Sequence, residues 1–167
     1  MSPVIEIAVE CPAWQELGDL EIIVAQCVDL ALRELGEKLL KGAEVSLLFC
    51  DDARMRELNR QFRGKDKATN VLSFPGVDPL DSARFLGDIA LAHETIAREA
   101  EEQGKSFEHH VRHMIVHGFL HLLGYDHEAE AEALEMEAME IRILERLGIE
   151  NPYRENFERE SDCNGRL

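Results

Sequence analysis

Apolar residues along the chain recur at two spacings, one of two residues and one of three to four, and these mark out nine elements. Val4 to Glu10 alternates as a first strand, and Pro12 and Trp14 lie in the connection after it. Asp19 can cap a long helix that runs to about Lys41, with Ile23, Cys27, Leu30 and Leu35 on its apolar side and Gly42 as its stop. Glu44 to Cys50 reads as a buried strand. Asp51 and Asp52 then open a short helix through Phe62, on which Met55, Leu58 and Phe62 keep helical spacing.

Arg63 to Thr69 is a polar loop, and Asn70 to Pro75 is a strand closed by proline at an edge or end of its sheet. Gly76 to Arg84 is rich in turn residues, Leu86 to Ala92 is a fourth strand, and His93 to about Gln103 is a helix stopped by Gly104. Ser106 can cap the next helix, whose broad apolar side (Phe107, Val111, Met114, Ile115, Phe119, Leu122) makes it central. Glu128 to Leu147 is the last helix, stopped by Gly148. The resulting β-α-β-α-β-β-α-α-α pattern describes an α+β fold, with about four strands in a mixed sheet packed on helices. Residues 1–150 make one domain, and residues 151–167 form a polar, aperiodic tail expected to be loosely ordered.

Composition narrows the class. With 45% apolar and 31% charged residues, the 167-residue chain is a soluble globular protein with enough length to bury a core. No apolar run spans a membrane, and the first residues lack the basic and apolar regions of a signal peptide, so a cytoplasmic location is expected. Cys11, Cys27, Cys50 and Cys163 are scattered and read as reduced thiols. A net charge of −16 argues against general affinity for polyanions. The charge is uneven, however. Arg54 to Lys67 carries six cations against Glu57 and Asp66, whereas Glu128 to Arg146 carries seven glutamates against two arginines. The first stretch is a candidate phosphate binder and the second a solvated helix face.

The candidate chemistry lies in the run His117-Gly-Phe-Leu-His121-Leu-Leu-Gly-Tyr-Asp-His127. His117 and His121 stand at i and i+4, so a helix presents them from one face, one turn apart. Gly124 can leave the helix in a left-handed conformation and let the chain bring His127 back. Three neutral imidazoles suit one zinc ion per chain and leave a fourth position open for water; nickel or copper would also fit such a set. His110 and His113 continue the same stripe. His113 is expected to line the site, His110 to be polar surface, and His93 to play no part as a ligand. Asp126, beside the third histidine, is a candidate to orient it.

Gly118 stands where a zinc peptidase of the His-Glu-x-x-His type carries its glutamate base. Water on a three-histidine zinc still ionises near pH ~7 without that base. Cutting a phosphodiester would need a cation to balance charge on the phosphoryl oxygens, and arginine suits that role through its planar fork.

Three stretches, in order, resemble the signatures of the YbeY family of metal-dependent endoribonucleases. They are Arg63-Gly-Lys-Asp-Lys-Ala-Thr-Asn-Val-Leu-Ser-Phe-Pro75, Leu86-Gly-Asp-Ile89, and the histidine run with His113 before it. Ala68 departs from the family's usual proline. The resemblance covers about Val45 to Gly148. It implies a single-strand-specific endoribonuclease acting in 3′-end maturation of small-subunit ribosomal RNA and in ribosome quality control. It further implies His117, His121 and His127 as metal ligands, Arg63 as the essential arginine, and a ligand helix set as in metal-dependent peptidases. Single-stranded RNA, ribosomal RNA, the small ribosomal subunit and assembly factors are the expected partners, with no membrane and no DNA. Two alternatives stay open. One is a metal-dependent hydrolase of a peptide or amide; the other is a ribosome-assembly factor whose metal is mainly structural.

Overall fold

Short polar side chains hold three of the helix starts, as their positions predict. Asp19 accepts from the backbone N–H groups of Glu21 and Ile22, Asp51 from that of Arg54, and Ser106 from that of His109. The computed structural model describes residues 4–36, 44–76, 85–125 and 129–153. Its helices are α1 (Leu20–Leu35), α2 (Asp52–Arg63), α3 (His93–Glu102), α4 (Phe107–Leu122) and α5 (Glu130–Arg146). The first ends six residues before the expected Lys41. Gly36 takes a left-handed φ of 67° there and donates its N–H back to Leu32, which closes the helix at the earlier of two available glycines. Gly42 lies outside the described residues.

Four strands, β1 (Val4–Val9), β2 (Glu44–Cys50), β3 (Val71–Pro75) and β4 (Phe85–Ala92), form one sheet in the order β1-β2-β4-β3. β1, β2 and β4 run parallel, and β3 pairs antiparallel with β4 at the edge. The register sets Leu47 beside Ile89, and Phe49 beside Leu91, on one face. That face meets α1, α3, α4 and α5 in the main core. Leu72, Ala90 and Ala92 lie on the other face, under Met55 and Leu58 of α2. Both faces of the central strands are covered, which is why β2 lacks the half-polar alternation of a solvated strand. Phe62 departs from expectation. It keeps helical spacing with Met55 and Leu58, yet its ring stays 62% exposed.

Trp14 seals one end of the core from a 3-10 turn at Pro12–Leu17. It is fully buried, meets Phe49 edge-on at 4.9 Å, and donates its indole N–H to the Cys50 carbonyl at 2.9 Å. Truncating such a residue typically costs about 3–5 kcal/mol.

α4 is the helix on which the others converge, packing against β3, β4, α1, α3 and α5. Its approach to the sheet is set by Gly118. A Cβ at that position would stand 2.9 Å from Ile89 Cγ2, 3.2 Å from Ser73 Oγ and 3.3 Å from Val71 Cγ2. The Ser73 hydroxyl also donates to the Gly118 carbonyl at 2.9 Å. The helix thus lies against the β3 edge at a distance that only a bare Cα permits. Among the described residues, no helix is long and apolar enough to cross a membrane.

Candidate metal centre and its cleft

The last turns of α4 carry His117 and His121 outward past the β3 edge. Their Nε2 atoms face each other at 3.2 Å. At that distance one Nε2–H can donate to the other nitrogen, and with both nitrogens bare the pair would need a cation between them. A tetrahedral ion with Zn–N bonds of about 2.0–2.1 Å separates its nitrogens by about 3.3 Å, so the spacing of the pair is compatible with such an ion. Gly124 follows with a φ of 98°, the positive value expected where the chain leaves the helix. His127, the expected third ligand, and Asp126, its expected partner, lie outside the described residues.

Behind the pair lies a group that the helical pattern of the sequence does not disclose. Glu140 of α5 is fully buried and accepts three hydrogen bonds: from His117 Nδ1 at 2.8 Å, His113 Nε2 at 2.6 Å and the Tyr153 hydroxyl at 2.6 Å. Burial works against its charge, but the donated bonds from His113 and His117 outweigh it and bring the carboxyl down to about 2. An ionised carboxylate can only accept, so His117 must carry its proton on Nδ1. Its Nε2 is then left with the lone pair that faces His121. His113 is buried as well, and burial, working against the bond to Glu140, lowers its affinity for a second proton.

By atom type and spacing, His113, His117 and Glu140 could themselves hold a metal ion, since their donor atoms lie within 4.8 Å of one another. Their contacts nevertheless have hydrogen-bond lengths, and the carboxylate has no exposed surface at which water or substrate could join an ion. The geometry suits a network that orients His117.

Glu140 leaves a trace in the sequence that the surrounding glutamates obscure. It falls in register with Met136, Met139, Ile143 and Leu144, the buried side of α5, while Glu130, Glu132 and Glu135 are exposed. Tyr153, expected in a loose tail, is the last described residue and turns back to this network. His110 is not surface but 3% exposed, bonded through Nε2 to Glu99 at 2.9 Å. It sits on the α4 flank that meets α3, and a polar ring is tolerated there because the carboxylate meets it. His93 packs edge-on against Trp14 at 5.1 Å and is not near the imidazole pair's network.

Arg63, at the end of α2, lines the same cleft as His117 and His121. One guanidinium nitrogen donates to the Ser73 carbonyl on the β3 edge at 3.3 Å. The cleft has a volume of about 690 Å3, and Lys65 and Lys67 join Arg63 along its wall. No carboxylate is among the described residues that line it, in a chain of net charge −16. Asp66, between the two lysines in sequence, is turned aside: it binds Arg56 through two bonds of 2.8 and 3.0 Å.

Known proteins resemble this chain over most of its length. Residues 12–148 match the family model described as Endoribonuclease YbeY. A protein of that name from Methylocella silvestris is 52% identical over 93% of this chain and 88% of its own length. Another from Beijerinckia indica is 54% identical over 92% of this chain and 78% of its own. The solution structure of TM1509 from Thermotoga maritima superposes with a TM-score of 0.59 at 27% identity, covering 95% of both chains. The chain belongs to the YbeY endoribonuclease family.

Proposed function

We propose that the protein is a single-strand-specific, metal-dependent endoribonuclease that trims the 3′ end of small-subunit ribosomal RNA and serves ribosome quality control in the cytoplasm. The observation that carries the reading is the cleft. Among the described residues, three cations and no carboxylate surround the paired imidazoles there, in a strongly acidic chain. Only a polyanionic substrate makes use of such a local reversal of charge.

His117, His121 and His127 would hold the metal, with zinc favoured by three imidazoles. When bound, the ion supplies a Lewis acid and a water that loses its proton near neutral pH. The protein's own groups do the rest. Glu140 keeps the proton of His117 on Nδ1, so the ring offers Nε2 toward the cleft. Arg63, already tethered to the β3 edge, offers its remaining N–H donors to the phosphoryl oxygens, where charge builds as the bond breaks. Lys65 and Lys67 attract the flanking phosphates.

A peptide substrate has one point in its favour, because β3 is an edge strand and residues 70–73 line the cleft, where a peptide could pair. Two features count against it. Arg63 occupies the Ser73 carbonyl, and the close packing at Gly118 denies space to the glutamate base of the common zinc peptidases.

The test is cleavage of a 3′-extended small-subunit rRNA fragment by wild type, His121→Ala and Arg63→Ala. Cutting in single-stranded regions, lost in both variants while Arg63→Ala retains its metal, is the expected result. Equal cutting by all three proteins, or none by wild type, would defeat the proposal. Peptide cleavage that survives Arg63→Ala would favour the second reading.

A further inference from the structure

Across the β3 edge from the cleft lies a second concavity, a groove of about 480 Å3. Its wall is Phe62 of α2 and Phe74 of β3, whose rings meet edge-on at 5.5 Å. Leu48 and Ala90 form its floor, and Pro75 lines both this groove and the cleft. Phe62 precedes Arg63 in α2, and Phe74 follows Ser73 in β3, so each cleft residue has a groove residue as its chain neighbour. The two rings and this floor make a contiguous apolar concavity, with the exposed Phe62 at its wall and the cations of the cleft next to it.

We propose that this groove is a nucleobase subsite: a strand lying in the cleft passes one base over the β3 edge to stack on Phe62 and Phe74. The proposal rests on the RNA reading above. Charge favours a base over a phosphate in the groove. Asp88, cross-strand neighbour of Phe74, also lines the groove and repels a phosphate, so the apolar base goes in while its phosphates stay with Arg63 and Lys65. Aromatic stacking requires a base free of its helix, which gives the single-strand preference a physical origin in this groove. The subsite accepts any base with a free face, because a ring surface reads shape and polarisability rather than hydrogen-bond pattern.

The test is fluorescence anisotropy of the metal-loaded protein with a labelled single-stranded oligoribonucleotide just long enough to span cleft and groove, so that its register is fixed, read at early times, in which one abasic ribose is moved position by position. Wild type should lose about tenfold in affinity when the abasic ribose falls at one register. Phe62→Ala should bind the intact strand about tenfold more weakly and lose nothing further at that register. Phe62→Trp should retain both the affinity and the sensitivity. Ile22→Ala, another exposed apolar residue, on α1, controls for loss of apolar surface in general. Phe62 is mostly exposed, so its removal leaves the melting temperature near that of wild type.

Wild-type binding that ignores every abasic position overturns the subsite, as does a Phe62→Ala protein with unchanged affinity, which would assign the groove to an apolar protein partner. Cleavage is followed in parallel. Base-dependent and Phe62-dependent binding without any cleavage would sink the nuclease reading while the subsite stands. No binding of RNA by wild type would remove both.

Discussion

Glu140 grips His117 from behind: its carboxylate accepts a hydrogen bond from Nδ1 at 2.8 Å, on the side of the ring away from His121. A neutral amide in its place cannot accept from His113, His117 and Tyr153 together, and its NH2 would face one of those donors. Glu140→Gln should weaken zinc binding about 10- to 100-fold, measured by competition with a chromogenic chelator. RNA cleavage lost at limiting zinc should return in excess zinc. Unchanged zinc affinity would show that the network serves packing alone.

Gly118→Ala sets two effects against each other. Alanine favours the helix by about 1 kcal/mol over glycine. The added methyl must displace Ile89 Cγ2 at 2.9 Å and crowds Ser73 Oγ at 3.2 Å, and overpacking of a filled interior costs about 1–3 kcal/mol. The expected outcome is a net loss of about 1 kcal/mol in urea unfolding. A variant as stable as wild type would mean that α4 can lift from the sheet at little cost.

Glu99 gives stability a dependence on acid. It accepts from Asn70 Nδ2 at 3.0 Å and from His110 Nε2 at 2.9 Å, joining α3 to the start of β3 and to α4. Burial pulls its carboxyl up, but the bonds from His110 and Asn70 prevail and hold it below the usual carboxylate value. The unfolded carboxyl takes its proton near pH ~4.3 and the folded one only at lower pH. The contribution is therefore whole above that value and fades as pH falls through the folded one. The stability gap between wild type and Glu99→Gln, from urea midpoints, should narrow as pH falls and close below about pH 4. A gap that persists in strong acid would place the effect in amide packing, not in charge.

Lys65 and Lys67 should reveal themselves through salt. Each phosphate that a side chain no longer neutralises lowers the slope of log affinity against log salt by about 0.7 on a single strand. Lys65→Ala and Lys67→Ala, titrated with the same oligoribonucleotide from about 50 to 200 mM salt, should each show a reduction of that order. A slope equal to that of wild type would take that lysine off the path of the strand.

Local features are legible because local physics sets them. Asp19, Asp51 and Ser106 cap where expected, since a short polar side chain before an apolar period has few other uses. The imidazole pair is legible because helical spacing alone brings i and i+4 together. The end of α1 is not, because Gly36 and Gly42 both offer a left-handed stop and only packing chooses between them. Glu140 is hidden because its partners come from another helix and from Tyr153, and a run of glutamates reads as solvated surface. The burial of His110 is hidden for the same reason: Glu99, which makes it tolerable, belongs to α3. That β4 lies between β2 and β3 cannot be read from strand patterns, which are alike on both sides of that choice.

The network behind His117 also orders events in time. Synthesis runs from the N-terminus, so α4 and its two imidazoles are made before α5 delivers Glu140 and before Tyr153 exists to complete the set. A chain halted between those points has the imidazoles of α4 but not the carboxylate that fixes the proton of His117 on Nδ1. The newborn chain therefore cannot close the network around Glu140 until its last described residues have been made.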